Sequence, residues 1–547
     1  MTALVAGCYN SGCQGAAWRR ANGRQGQDPR RGVCPAPQGP AFLPEPTVGA
    51  ASGQENRLHS GPRESCGIFG VYAPGEDVAR ITFFGLYALQ HRGQESAGIA
   101  TADGRGIHMR TGMGLVSQVF EEEDLGYLPG SIAIGHTRYS TSGSSRIQNA
   151  QPIQVDGPNG PLALGHNGNV VNAETVRADL EDQGQQFVTS TDSEVIARVL
   201  ASAPGSDWQE RFAYLMRRLR GAYCLVILTP TSLMAVRDPL GVRPLCLGRL
   251  NGGWVVASET CALDHLGATF LREVEPGEAL VIDSEGLHSY RAMESPRGAF
   301  CIFEYIYFAR PDSVMRGKLL YSVRMAMGAQ LAREHPVEAD VVIGVPDSAT
   351  AAAVGYAQES GIPFVEGLVK NRYVGRTFIM PDQRIRDMGV HLKFNPLREV
   401  LEGRRVLVVD DSIVRGTTTP RVVEMLRRAG AREVHMRITA PPITHPCFFG
   451  VDMASRWELI ASHKTVDEIR RHIGADSLGY LSQEGLVKAV GQPRDSFCMA
   501  CFGGEYPMSV PIQMDKLALE PALGARDRHD FEWPELVPTP VVRQDQG

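Results

Sequence analysis

Residues 406–418 read V-L-V-V-D-D-S-I-V-R-G-T-T. An apolar run suited to a buried strand ends in two adjacent carboxylates, and a Gly-containing loop then leads into a helix. In an open α/β sheet, ligands bind beyond the carboxyl ends of the strands, where this loop sits. Its backbone N–H groups from Ser412 to Thr418, backed by a helix N-terminus, suit a phosphate. Thr417 and Thr418 add hydroxyl donors, and Gly416 lets the backbone approach closely. Asp410 and Asp411 cannot share that phosphate, because like charges repel. Vicinal sugar hydroxyls, or a Mg²⁺ carried by the substrate, are their natural partners. A plain helix N-cap with acidic neighbours is the alternative, but it requires neither paired acids nor paired threonines. A second strand-loop, V-I-G-V-P-D-S-A-T, places Asp347 and Ser348 at a neighbouring strand end.

A second constellation begins at Cys66, in C-G-I-F-G-V-Y. Downstream lie Q-H-R-G-Q-E-S-A-G-I (90–99), G-H-T-R-Y-S-T (135–141), G-H-N-G-N (165–169) and T-D-S-E (191–194). Each cluster falls at the end of a strand or helix, so all could meet at one site. A free thiol has a pKa of about 8.5 and needs activation to act as a nucleophile. An α-amino group, with a pKa of ~7.7–8.0, could serve as its base if Cys66 were the first residue of the mature chain. Alone, Cys66 reads first as a buried core cysteine. Cys301, Cys447 and the C-M-A-C pair Cys498 and Cys501 form a third group. A lone C-x-x-C leaves zinc, a redox pair, a cluster and simple burial all open.

The elements that must position these residues fall into two patterns. Residues 1–60 are rich in Gly, Pro, Gln, Arg and Ala without periodicity, and are expected to be disordered. From 66 to about 295, short β-like runs at 131–135, 162–165, 222–228, 233–237 and 254–258 alternate with Gly-rich turns. Helices are expected at 78–91 and 192–200. This is an α+β layered domain. From 296 to 518, strands at 339–344, 362–365, 405–409 and 433–438 alternate with helices at 348–359 and 417–429. That order predicts an α/β domain with a parallel sheet. Residues 519–547 are expected to form an extended tail.

Composition excludes several classes. The net charge of −6 over 547 residues argues against nucleic-acid binding. No apolar run approaches the ~18 residues of a spanning helix. Eleven cysteines scattered along so long a chain do not make a disulfide-stapled secreted scaffold, which points to the cytoplasm. Cys224, Cys246 and Cys261 lie in apolar stretches and read as core residues.

The 406–418 stretch resembles the signature of type I phosphoribosyltransferases. The resemblance implies that Asp347, Ser348, Lys370, Asp410, Asp411, Ser412, Gly416, Thr417 and Thr418 bind phosphoribosyl pyrophosphate, with Ser348, Asp410 and Asp411 toward Mg²⁺. In and just after the 342–350 loop, Ala349 stands where the family has Gly, and Ala351 where it has Pro. The run from Lys370, K-N-R-Y-V-G-R-T-F-I, is similar to the family's loop that closes over substrate.

The five clusters from Cys66 to 194 resemble the glutamine-hydrolysing domain of N-terminal-nucleophile amidotransferases, in their purine-pathway form. The likeness spans about 66 to 507. It implies Cys66 as nucleophile, Asn167 and Gly168 at the oxyanion, and Arg92, Arg138 and Asp192 around glutamine. Ammonia would then pass by Tyr305 and Ile306 to C1 of phosphoribosyl pyrophosphate, giving phosphoribosylamine, glutamate and pyrophosphate. Cys301, Cys447, Cys498 and Cys501 match the [4Fe–4S] ligands of the propeptide-bearing members. Residues 1–65 would accordingly be a cleaved propeptide, or the product of a start site assigned too early. Purine nucleotide inhibitors and a homotetramer are further implications. The rivals are a sister amidotransferase of the same nucleophile class, which has no use for 406–418, and a non-catalytic phosphoribosyl-pyrophosphate sensor, which has no use for Cys66.

Overall fold

The computed structural model describes residues 66–139, 143–295, 297–371, 394–453, 456–511 and 518–520. Two antiparallel sheets occupy the first part of the chain. One has seven strands, in the order Thr269–Glu273, Cys246–Leu250, Gly253–Ala257, Gly67–Tyr72, Ile132–Arg138, Ser96–Ala102 and Ile107–Met113. The other has six, in the order Gly286–Arg291, Glu278–Asp283, Leu233–Arg237, Gly221–Leu228, Leu162–Val170 and Ile153–Val155.

Side chains alternate across each strand, which lets every strand feed two cores. Ile68, Ile132 and Ile134 from the first sheet pack with Cys224, Val226 and Leu228 from the second. The opposite faces are covered by helices. Phe69 and Val71 pack on the helix Val78–Ala88. Leu225 and Ile227 pack against the helices Ala173–Asp182, Asp192–Ala201 and Trp208–Arg218. The result is a helix–sheet–sheet–helix layering, in keeping with the α+β expectation.

Ala173–Asp182 and Trp208–Arg218 were not expected as helices. Each buries only three residues toward the sheet, and polar residues fill most other positions. Cys224, Cys246 and Cys261 are buried in these cores.

In the second part, four parallel strands stand in the order Val341–Gly344, Arg405–Asp410, Glu433–Ile438 and Ser477–Tyr480. The expected strand at 362–365 is reduced to one bridge, between Phe364 and Val342. Pro363 has no N–H to donate, which limits the ladder at this edge. Helices Leu320–Glu334, Thr350–Ser360, Thr419–Arg428, Val466–Ile473 and Gln483–Val490 accompany the sheet. The helices Thr350–Ser360 and Thr419–Arg428 start two residues later than the sequence pattern suggested, leaving longer loops at the strand ends. One apolar core runs from Ala222, Leu240 and Val242 into this second sheet.

Candidate functional site

Cys66 immediately precedes the central strand Gly67–Tyr72 and is buried. Its thiol donates to the Tyr139 carbonyl at 3.3 Å. Burial pushes the thiol pKa up to about 11, against the pull of the Tyr139 bond and the Arg138 charge. Arg138 ends the adjacent strand, itself buried, with Nη1 donating to the Ser144 carbonyl at 3.3 Å and lying 3.7 Å from Glu95.

The polar clusters do converge. His136 Nε2 bonds the His166 carbonyl at 2.9 Å, and His166 Nδ1 lies 3.7 Å from Asp192. Asp192 opens the helix Asp192–Ala201 and accepts from the Val170 amide at 3.0 Å. Burial opposes its charge, but His166, that amide and Arg138 together hold its carboxyl below the ordinary range.

Asn167 is fully buried, and neither its Nδ2 nor its Oδ1 has a hydrogen-bond partner among the described residues. Buried amides are rarely left so. Next to it, Gly168 has φ +150°, and a Cβ there would meet the Ala222 carbonyl oxygen at 2.0 Å. Only glycine fits this strand position.

Arg92 is engaged on all sides. Nε donates to the Cys66 carbonyl at 3.3 Å, Nη1 to Glu259, and Nη2 to both oxygens of Glu304 at 2.8 and 3.0 Å. Burial disfavours its charge, yet Glu304 and Glu259 more than compensate and raise its pKa. Glu304 also receives Arg243 at 3.2 Å, and Arg243 donates to the Phe449 carbonyl at 3.1 and 2.8 Å. Asn169 Nδ2 reaches the Phe448 carbonyl at 3.0 Å. The cysteine site is thereby wired into the second part of the chain.

Glu259, Glu304 and Arg243 had escaped notice in the sequence. Only Glu304 left a signal, as a lone charge inside the apolar run C-I-F-E-Y-I-Y-F. Tyr305 and Ile306 follow it and are buried, with the Tyr305 hydroxyl donating to the Met315 carbonyl at 3.1 Å. Arg324, buried on the helix Leu320–Glu334, donates to the carbonyls of Tyr305 and Ala309 at 2.9 and 2.7 Å.

The second site lies at the ends of the strands Val341–Gly344 and Arg405–Asp410. Ser348 Oγ donates to Asp411 at 2.5 Å, and Ser412 Oγ to the other Asp411 oxygen at 2.6 Å. Lys370 pairs with Asp347 at 2.5 Å. The amides of Ile413, Val414, Gly416 and Thr417 find no acceptor among the described residues. The helix Thr419–Arg428 starts without a side-chain cap. Together these make an anion nest.

Gly416 has φ +66°, the left-handed region glycine favours, and its carbonyl accepts from His472 at 3.1 Å. Ile460 N donates to the Val414 carbonyl at 2.9 Å, bracing the loop from behind. Ala349 has φ −91°, so alanine is accommodated there without strain. The Pro346–Asp347 peptide is cis. Beyond Asn371 the basic loop, like residues 1–65 and 521–547, lies outside the described residues.

Cys301 and Cys498 are direct partners in a short parallel ladder. Burial raises the Cys498 and Cys501 thiol pKa values. Cys301 and Cys447 act on both in the same direction, and all four cysteines pack in or against one apolar core. No three His, Cys, Asp or Glu residues among those described gather closely enough for a single metal ion. No described helix is long and apolar enough to cross a membrane.

A family model described as a glutamine amidotransferase domain matches residues 136–265, and one described as a phosphoribosyl transferase domain matches 316–447. The chain is 55% identical over 467 residues to an amidophosphoribosyltransferase of Synechocystis sp., covering 84% of this chain and 94% of that protein. An amidophosphoribosyltransferase of Bacillus subtilis is 49% identical over 455 residues, covering 82% and 95%. Among solved structures, the B. subtilis glutamine phosphoribosylpyrophosphate amidotransferase complexed with ADP and GMP superposes with a TM-score of 0.78. The identity is 48%, over 83% of this chain and 100% of that one.

Proposed function

The chain belongs to the amidophosphoribosyltransferases, enzymes of purine biosynthesis, and from that premise we propose how its own residues divide the work. Residues 66–295 form the glutaminase and 296–518 the transferase. Removal of residues 1–65 frees the Cys66 amine, which takes the thiol proton. The sulfur then attacks the side-chain carbonyl carbon of glutamine. Asn167 Nδ2 and the Gly168 N–H receive the oxyanion, a service worth ~3–4 kcal/mol per donor in acyl transfer. Ammonia leaves with the returned proton, and water releases glutamate from the thioester. Arg138 holds the α-carboxylate of glutamine through a planar fork, and Asp192 holds its ammonium. Arg92 keeps the cysteine backbone in place rather than touching substrate, because its guanidinium is already shared by two carboxylates.

Ammonia passes by Tyr305 and Ile306 to C1 of phosphoribosyl pyrophosphate and displaces pyrophosphate. The 412–418 amides with Thr417 and Thr418 hold the 5′-phosphate. Asp410 and Asp411 take the ribose hydroxyls, and Asp347, Ser348 and Lys370 face the pyrophosphate. Ser348, Asp410 and Asp411 suit Mg²⁺ arriving with the substrate, where it would neutralise leaving-group charge. Cys301, Cys447, Cys498 and Cys501, which pack in or against one apolar core, would hold a [4Fe–4S] cluster through their thiolates. Its role would be to tie residues 301, 447 and 498–501 together. Purine nucleotides as inhibitors, a homotetramer and a cytoplasmic location complete the reading.

The observation that carries it is Asn167. Its buried amide, without a partner among the described residues, sits on the strand whose neighbouring His166 links the other glutaminase clusters. Glutamate and pyrophosphate release, measured with glutamine, phosphoribosyl pyrophosphate and Mg²⁺, tests it. Coupled release is expected. Release of either product from a protein with Cys66 replaced by alanine, at the rate of the unaltered one and with glutamine as the sole nitrogen source, would refute it.

A further inference from the structure

Glu520 lies far from the glutaminase clusters in sequence, yet its carboxylate is inserted among them. One oxygen, Oε1, accepts the Ser144 amide at 2.8 Å, the Ser144 hydroxyl at 2.6 Å and the Ser190 hydroxyl at 2.6 Å. Ser144 follows Arg138, and its carbonyl receives the Arg138 guanidinium at 3.3 Å. Ser190 stands two residues ahead of Asp192. Asn149 completes the bridge. Its Nδ2 donates to the Ser144 carbonyl at 2.9 Å and to Ser190 Oγ at 2.8 Å, while its Oδ1 accepts the Ser190 amide at 3.0 Å. The two loops touch closely enough that a Cβ on Gly143 would meet the Ser190 carbonyl at 2.6 Å.

The placement of Glu520 is held from its own side as well. Leu519 is buried against the core of the second sheet and its helices. Arg177 donates from one nitrogen to the Leu519 carbonyl at 3.2 Å and to the Thr189 carbonyl at 3.1 Å. The same arginine thus ties the segment to the loop that precedes Asp192. Burial opposes the charge of Glu520, but the hydrogen bonds from Ser144 and Ser190 and the charge of Arg146 hold its carboxyl below the ordinary range.

We propose that Glu520 is a positioning residue for the glutamine pocket, fixing the distance between the loop behind Arg138 and the loop ahead of Asp192. The inference rests on the reading of Arg138 and Asp192 as the two grips on the α-carboxylate and α-ammonium of glutamine. A ligand held at both ends needs its two grips at a set separation. A pocket whose loops drift must be ordered at the moment of binding, which weakens binding. Three charge-assisted hydrogen bonds on one oxygen supply that order in advance. Glu520 touches no reacting atom, so its loss acts on glutamine affinity and leaves the transferase site alone.

The test uses enzyme expressed from the complete coding sequence, with Glu520→Ala, Glu520→Gln and Arg138→Gln compared. Glu520→Ala is expected to raise the KM for glutamine by about tenfold, because the three lost hydrogen bonds act on the ligand only through the two loops they join. Its kcat should stay within a factor of about two, its KM for phosphoribosyl pyrophosphate should be unchanged, and product formation from added ammonium salt should be normal. Glu520→Gln keeps an acceptor oxygen and should recover most of the loss. An unchanged glutamine KM in Glu520→Ala overturns the inference, as does an equal fall in glutamine- and ammonia-dependent rates. Arg138→Gln separates the two layers. If it raises the glutamine KM strongly while Glu520→Ala does not, the positioning role fails alone. If it too leaves that KM unchanged, the pocket reading itself is wrong.

Discussion

Replacing Asn167 by alanine separates two effects that usually travel together. In most buried positions, removing an amide side chain costs stability because its partners are orphaned. Here both polar atoms are already without partners among the described residues. Each such atom carries a desolvation penalty of ~1–3 kcal/mol, which the substitution relieves. Against that stands the small cavity left on a fully buried strand position facing Cys224 across the ladder. The two roughly cancel, so unfolding stability should change by no more than about 1 kcal/mol. Catalysis should behave quite differently. Losing one oxyanion donor lowers kcat by ~10²–10³. The KM for glutamine should move little, since the oxyanion exists only along the reaction path. The assay is glutamate release at saturating phosphoribosyl pyrophosphate, alongside product formation from ammonium salt and denaturant unfolding. Ammonia-dependent activity should be intact. A kcat within threefold of the unaltered enzyme would refute the oxyanion role. So would a parallel loss of ammonia-dependent activity, or a stability loss large enough to explain the defect.

Further predictions follow from other parts of the molecule. Glu304→Gln leaves Arg92 and Arg243 sharing a neutral amide in a fully buried site. It should destabilise by ~3–5 kcal/mol in urea unfolding, and a shift below 1 kcal/mol would show that the network is not structural. Gly416→Ala puts a side chain at φ +66° and 2.5 Å from Ile460 Cδ1. It should raise the KM for phosphoribosyl pyrophosphate while glutaminase turnover of the Cys66 site persists, and an unchanged KM would detach that loop from the substrate. Burial raises the Cys66 thiol to about 11, so in chains that keep residues 1–65 the thiolate is scarce at neutral pH. Alkylation by iodoacetamide should there climb about tenfold per pH unit up to roughly pH 10. Protein beginning at Cys66 should react faster near pH 8, and full glutaminase activity in the unprocessed chain would contradict the amine-base scheme. Anaerobically purified protein should contain iron and sulfide in equal amounts and lose both with Cys447→Ser; iron-free protein of full stability would remove the cluster.

Much of the fold could be read locally. The strand at 222–228 declared itself through a run of buried apolar residues, and the observed strand Gly221–Leu228 coincides with it closely; Glu433–Ile438 alternates apolar with polar residues and also falls where a strand was expected. Helices of mixed composition, such as Trp208–Arg218, were less evident: Trp208, Phe212, Leu215 and Met216 recur at helical spacing, but charged and polar residues fill most of the other positions. The strand at 362–365 looked apolar enough, but a proline at the sheet edge reduced it to a bridge.

The sequence by itself determined which chemistries were available: a cysteine followed by polar clusters, and an acidic strand end opening on a glycine loop. Such motifs are local. Their spacing reflects the backbone of one turn or one strand end, so neighbouring residues carry the whole message. The tertiary structure alone decided that Arg92 would be saturated by Glu259 and Glu304, that Asn167 would be left without partners among the described residues, and that Glu520 would bridge two loops of the glutaminase. Each depends on which segments distant in the chain meet. Whether two buried charges meet depends on how whole sheets and domains pack, and no residue's neighbours in sequence record that.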